Sequence, residues 1–146
     1  MHYSTHYNIY ENYQKNKTNR WNMKERNLTF KRFIGDKGED LAVKTLVDRG
    51  FTIISRNYTV HNVGEIDIIA GKDGDIHILE VRTRQNKGTY PDSAESVTAS
   101  KRKKIVNTAM YFVMENDLYD RNLIFEVVRV THDKQGNILG IEFVPF

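Results

Sequence analysis

Apolar positions recur with two different periods along this chain. From Gly35 to Gly50, Ala42, Val43, Leu46 and Val47 form a helical stripe, with Asp36 as the expected N-cap, Glu39 three positions on, and Gly50 as the stop. Phe51 to Tyr58 is β-prone, and polar His61-Asn62-Val63-Gly64 follows. Two further β-prone runs, Gly64 to Ala70 and Asp75 to Arg82, flank Lys72-Asp73-Gly74-Asp75, whose Asp-Gly pair signals a two-residue hairpin turn. A loop is expected over residues 84–93, with Gly88 and Pro91. Helical spacing returns from about Ser93 or Thr98 to Asn116, carried by Ile105, Ala109, Met110, Phe112 and Val113. Strands over Leu123–Thr131 and Asn137–Pro145, joined by Asp133-Lys134-Gln135-Gly136, complete the chain. The order α-β-β-β-α-β-β predicts an α/β domain, a mixed β-sheet flanked by helices, over residues 34–146. Residues 1–33 show no sustained period and are expected to form a disordered, basic and aromatic extension, with Met23 a candidate alternative start.

Charges interrupt the two central apolar runs. If Asp73-Gly74 close the hairpin, Asp67 faces Glu80 and Glu65 faces Arg82, and the strand period of two puts all four on one face. Glu65–Arg82 reads as a simple cross-strand ion pair. Asp67 and Glu80 do not, because two opposed carboxylates among Ile66, Ile68, Leu79 and Val81 need a compensating charge. A divalent cation supplies it, and oxygen ligands select Mg²⁺ or Mn²⁺.

Composition narrows the chemistry. The chain has no cysteine among its 146 residues, so thiolate metal sites and disulfides are excluded. No apolar run reaches membrane-spanning length and none reads as a signal peptide, so a cytoplasmic protein without membrane partners is expected. The net charge of +3 is unevenly spread: residues 82–104 hold seven Lys/Arg against Asp92 and Glu95. An acidic cluster beside a basic stretch suits a polyanion held around a metal, whereas an isolated charge run is more often a solvated helix face. The lysines Lys101, Lys103 and Lys104, with Arg102, crowd the start of the second helix, against its dipole, as a ligand-binding role would require. Tyr3, Tyr7, Tyr10, Tyr13 and Trp21 interleave with basic residues in the extension, a composition that could stack on single-stranded bases, but a plain solvated tail is the preferred reading. The five histidines show no ligand spacing.

Gly64-Glu65-Ile66-Asp67 followed by Glu80-Val81-Arg82 resembles the core of the restriction-endonuclease-like PD-(D/E)xK superfamily. More closely, the chain resembles the YraN family of uncharacterised bacterial endonuclease-like proteins, related to archaeal Holliday-junction resolvases. The matching segments are Gly35-x-x-Gly38-Glu39-x-x-Ala42, Gly50-Phe51, Arg56-Asn57-Tyr58, Gly64 to Ala70, Leu79 to Arg84, Lys101 to Lys104, and Phe125 to Val128. The resemblance implies a restriction-endonuclease-like fold and Mg²⁺- or Mn²⁺-dependent hydrolysis of DNA, rather than RNA, in repair or recombination, branched DNA being a fitting substrate and a homodimer a fitting assembly. Asp67, Glu80 and Glu39 would hold the metal, and Arg82 would stabilise the transition state. Arg84, Lys101, Arg102 and Lys104 would meet the nucleic acid. Arg82 stands where the superfamily has lysine; arginine stays protonated, so it can orient or stabilise charge only. The alternative is therefore a catalytically silent nucleic-acid-binding module of the same fold. Glu126 stands where the family usually has Asp and is expected to be a rim acid.

Overall fold

A computed structural model of the chain describes residues 23–88 and 97–146. Its elements run α1 (Met23–Asp48), β1 (Thr52–Val60), β2 (Gly64–Lys72), β3 (Asp75–Gln85), α2 (Ala99–Asn116), β4 (Leu123–His132) and β5 (Ile138–Pro145). This is the predicted α-β-β-β-α-β-β order. The five strands form one mixed sheet in chain order, with β3 and β4 parallel and the other neighbours antiparallel. A parallel pair cannot be joined by a tight turn, and α2 lies in the crossover between β3 and β4. No helix among the described residues is long and apolar enough to cross a membrane.

The hairpin turn forms as its residues dictate. Asp73 (φ 51°) and Gly74 (φ 85°) are both left-handed, the type I′ geometry that matches strand twist. The ladder runs in the predicted register from Lys72↔Asp75 to Ile68↔Leu79 and stops there. Each sheet face carries its own apolar layer. Ile105, Ala109 and Phe112 of α2 pack with Ile66, Ile69, Ile78 and Val127. Ala42 and Leu46 of α1 pack with Ile68, Ala70, Leu79, Val128 and Val130.

Two expectations need correction. The first helix begins at Met23, so Asp36 and Glu39 lie within it and no capping box forms there. It thus takes in residues 23–33, which the sequence assigned to the extension. Its early turns are anchored across the fold: Phe30 and Ile34 adjoin Gly136 in the β4–β5 turn, and Lys37 Nζ donates to the Gly136 carbonyl at 3.2 Å. Of the predicted loop over 84–93, residues 84 and 85 belong to β3, and 89–93 lie outside the described residues, as do residues 1–22 of the extension. The second helix starts at its later candidate: Thr98 is the N-cap and its hydroxyl accepts the Lys101 amide at 3.1 Å.

Gly38 sets the approach of α1 to β3. A side-chain Cβ there would collide with Thr83 Oγ1, so only glycine lets the helix sit close enough to bring Glu39 to the sheet. Gly38→Ala should destabilise the protein by roughly 1–3 kcal/mol through overpacking. Urea denaturation tests this: most of the loss should disappear in a Thr83→Ala background, and an equal loss in both backgrounds would exclude the contact as its cause.

Candidate functional site

Strict alternation along β2 would put Ile66 on the same face as Ile68. Instead Ile66 joins Ile69 in the α2 layer, while Ile68 and Ala70 face α1, so the alternation breaks at Asp67. The adjoining β1 breaks in step. Arg56 reaches Glu39 and Asp40 on α1, Tyr58 packs edge-on against Phe112 of α2, and Asn57 between them has φ 54°. Asparagine tolerates that left-handed conformation better than most residues.

The break turns Asp67 into the gap between β2 and β3. Its Oδ2 accepts the backbone N–H of Val81 at 2.7 Å, in place of a main-chain carbonyl. Glu80 stands beside it, and Lys101 Nζ approaches Glu80 Oε1 at 3.4 Å. Burial first, then the Glu80 carboxylate, push the Asp67 carboxyl up to about 6, against the opposing pull of the Val81 amide and Lys101. Glu39 approaches from the α1 side. Its pKa is also raised, mainly by burial, with Asp67 and Asp36 contributing and Arg56 opposing.

The predicted site residues are therefore only partly assembled. Asp67 and Glu80 come together through the fork between the strands, not through a ladder pair. Glu65 pairs with Thr59 of β1 and does not oppose Arg82 within the β2–β3 ladder, correcting that expectation. Glu39 is within electrostatic reach of Asp67 but is held by Arg56 at 3.2 Å. Among the described residues, no three carboxylate or imidazole side chains converge as a complete ligand set. A cleft of about 1300 Å³ adjoins the fork, lined by Glu39 and Asp67 together with Arg82, Arg84, Arg129 and His132.

The basic residues divide. Arg84 is exposed on the cleft wall. Lys101 is engaged by Glu80. Arg102 lies over the Phe146 ring at 5.8 Å, and Lys104 is exposed near Gly64; neither lines the cleft. Glu126 pairs with His77 Nδ1 at 2.7 Å, half-buried within the sheet, so neither is the isolated residue its sequence context suggested. Sequence reasoning missed Arg129 and His132. His132 is buried, and because Nδ1 lies 2.7 Å from the Asp133 carbonyl, which can only accept, Nδ1 carries a proton.

Comparison with known proteins covers this region. Residues 38–130 match the model of the uncharacterised protein family UPF0102, a span that includes Glu39, Asp67, Glu80, Arg82, Lys101 and Arg129. A UPF0102 protein of Clostridioides difficile (strain 630) is 42% identical over 97 residues, 66% of this chain and 82% of that protein. One of Clostridium novyi (strain NT) is 36% identical over 115 residues, 79% of this chain and 94% of the relative. One of Moorella thermoacetica is 37% identical over 110 residues, covering 75% and 90%. These names state no activity.

An aspartate whose pKa lies above its unfolded value stabilises the fold at low pH and loses that contribution as pH rises. With Asp67 moving from 3.8 to about 6, chelator-treated protein should lose roughly 1–3 kcal/mol of stability between about pH 4 and pH 7. Asp67→Asn keeps an oxygen for Val81 and should flatten that slope. Denaturation midpoints across the range decide; parallel curves for the two proteins would exclude Asp67 as the source.

Proposed function

The chain belongs to the uncharacterised protein family UPF0102, and we propose that it is a restriction-endonuclease-like protein that uses Mg²⁺ or Mn²⁺ to hydrolyse phosphodiesters of DNA, branched DNA among its candidate substrates. The observation that carries this reading is the Asp67–Glu80 pair, held in a fork between two strands beside a cleft with cationic walls. Two partly buried carboxylates with one raised pKa make a site short of positive charge, and an all-oxygen donor set fits a hard divalent cation. Such an ion needs only one or two carboxylates, the remaining positions being filled by water and phosphate oxygens. Asp67 and Glu80 would hold it, and Glu39 would join only on leaving Arg56.

Bound there, the cation would polarise the phosphate and favour a hydroxide nucleophile. The protein's own groups do the rest. The Val81 amide fixes the Asp67 carboxylate in the fork. Arg82, always protonated, orients the substrate or neutralises its charge. Lys101, beside Glu80, would balance the charge of the carboxylates or meet a phosphate oxygen. A homodimer would bring two such sites to the two strands of a junction. A cytoplasmic location belongs to the same reading.

A second reading has a specific observation behind it. Arg82 takes the place of the superfamily lysine, and Lys101 already compensates Glu80, so the same fold would serve as a silent DNA-binding module. Calorimetric titration of Mg²⁺ and Mn²⁺, with and without DNA, should show binding to the wild type and at least a tenfold loss in Asp67→Ala. Unchanged affinity in that variant would sink the metal assignment. A cleavage screen over branched and single-stranded DNA separates the readings. Cleavage by the wild type, abolished in Asp67→Ala, is the expected result; cleavage gained only in Arg82→Lys would identify the silent module.

A further inference from the structure

We propose that Arg82 and Arg129 together form a cradle for one phosphate group, separate from the carboxylate pair. The natural ligand, a phosphate of a polynucleotide next to the one presented to the carboxylates, rests on the functional reading above; the cradle itself does not. Arg82 and Arg129 are direct register partners on the parallel strands β3 and β4. Each stands two residues beyond a side chain of the α2-facing side, Glu80 on β3 and Val127 on β4, so both project from that side.

Like charges set opposite each other on neighbouring strands destabilise a sheet. Here the arrangement is also left incomplete. The Nε of Arg82 and the Nε of Arg129 are buried, and neither has a hydrogen-bond partner among the described residues. A buried guanidinium N–H without an acceptor keeps its full desolvation cost. Other cations of the fold are satisfied: Arg56 by Glu39 and Asp40, Lys101 by Glu80, Lys37 by the Gly136 carbonyl. Arg129 does meet Glu142 at 3.4 Å, but through Nη1, and that carboxylate is largely in solvent.

Both arginines line the cleft that Asp67 and Glu39 also line. A tetrahedral oxyanion has oxygens to spare for two guanidinium planes, and the fork of donors on arginine matches phosphate geometry. Glu80 and Arg82 stand two positions apart on β3, about 7 Å, which leaves room for the cradled phosphate beside the one at the carboxylates. Arg84, two residues beyond Arg82 on β3, and Lys87 line the same cleft and favour a chain of phosphates over a lone carboxylate ligand.

Inorganic phosphate is the probe, added to the full chain in chelator, with heteronuclear NMR and calorimetry as readouts. Wild type should bind it, Asp67→Asn at least as tightly because an anion has left the same cleft, Arg129→Gln at least tenfold more weakly than wild type, and Arg129→Lys in between. Because Asp67→Asn removes the carboxylate pair and spares the arginines, loss of the metal chemistry leaves this result untouched. Equal binding by all four proteins would mark an adventitious ion only and overturn the proposal, as would no binding by the wild type at millimolar phosphate. Should Arg129→Gln not fold, Arg129→Lys and Arg82→Lys carry the comparison. Single-stranded oligonucleotides with and without a 5′-phosphate then distinguish the sources. A preference for the phosphorylated end, lost in Arg129→Lys, assigns the cradle to a terminal phosphate; equal binding, weakened in Arg129→Lys, assigns it to an internal one. Oligonucleotide binding that ignores both substitutions overturns it.

Discussion

An aspartate side chain takes the Val81 N–H that a β-ladder would give to a main-chain carbonyl, and the remaining geometry of the site depends on that exchange. With the ladder ending at Ile68↔Leu79, β3 has one edge free of β2 beyond Leu79 while its other edge stays paired with β4 to Gln85. The fork so created is closed by a charged group rather than an apolar one. It also lets groups from both layers of the domain act on one carboxylate, Glu39 from the α1 side and Lys101 from the α2 side. A regular hairpin would have kept the two layers apart.

The charges around the fork are distributed by layer. Arg56 answers Glu39 and Asp40 on one side, and Lys101 answers Glu80 on the other. Asp67 has a backbone amide as its direct partner, which opposes without cancelling the rise in its pKa caused by burial and by Glu80. A protein selected only for stability gains little from such a residue, since an apolar side chain of similar volume would avoid the desolvation cost. The logic is local: the same confinement that destabilises an anion sharpens its response to an arriving cation.

The parts legible in the sequence are those set by neighbours. Asp73-Gly74 specified its turn, and the turn specified the register as far as Leu79. Beyond that point the period of two failed, because it presumes unbroken alternation, and Asn57 and Asp67 break it on adjacent strands. Asn57 carried the available signal, as a residue type that accepts positive φ. The early turns of α1 were hidden for a different reason: their anchor, Gly136, lies 99 positions from Lys37. Arg129, flanked by Val127, Val128 and Val130, reads as an ordinary strand polar residue until the parallel register sets it beside Arg82. Among the candidate residues, proximity within the hairpin was readable and proximity across the α2 crossover was not.

Chain order in the sheet has a kinetic side. Asp67 and Glu80 are 13 positions apart along the chain, whereas Arg82 and Arg129 are 47 apart. The longer loop costs about 1 kcal/mol more closure entropy, and contacts of low sequence separation form faster. The carboxylate pair at the fork is thus the cheaper contact to close, and the arginine pair across the crossover the dearer one.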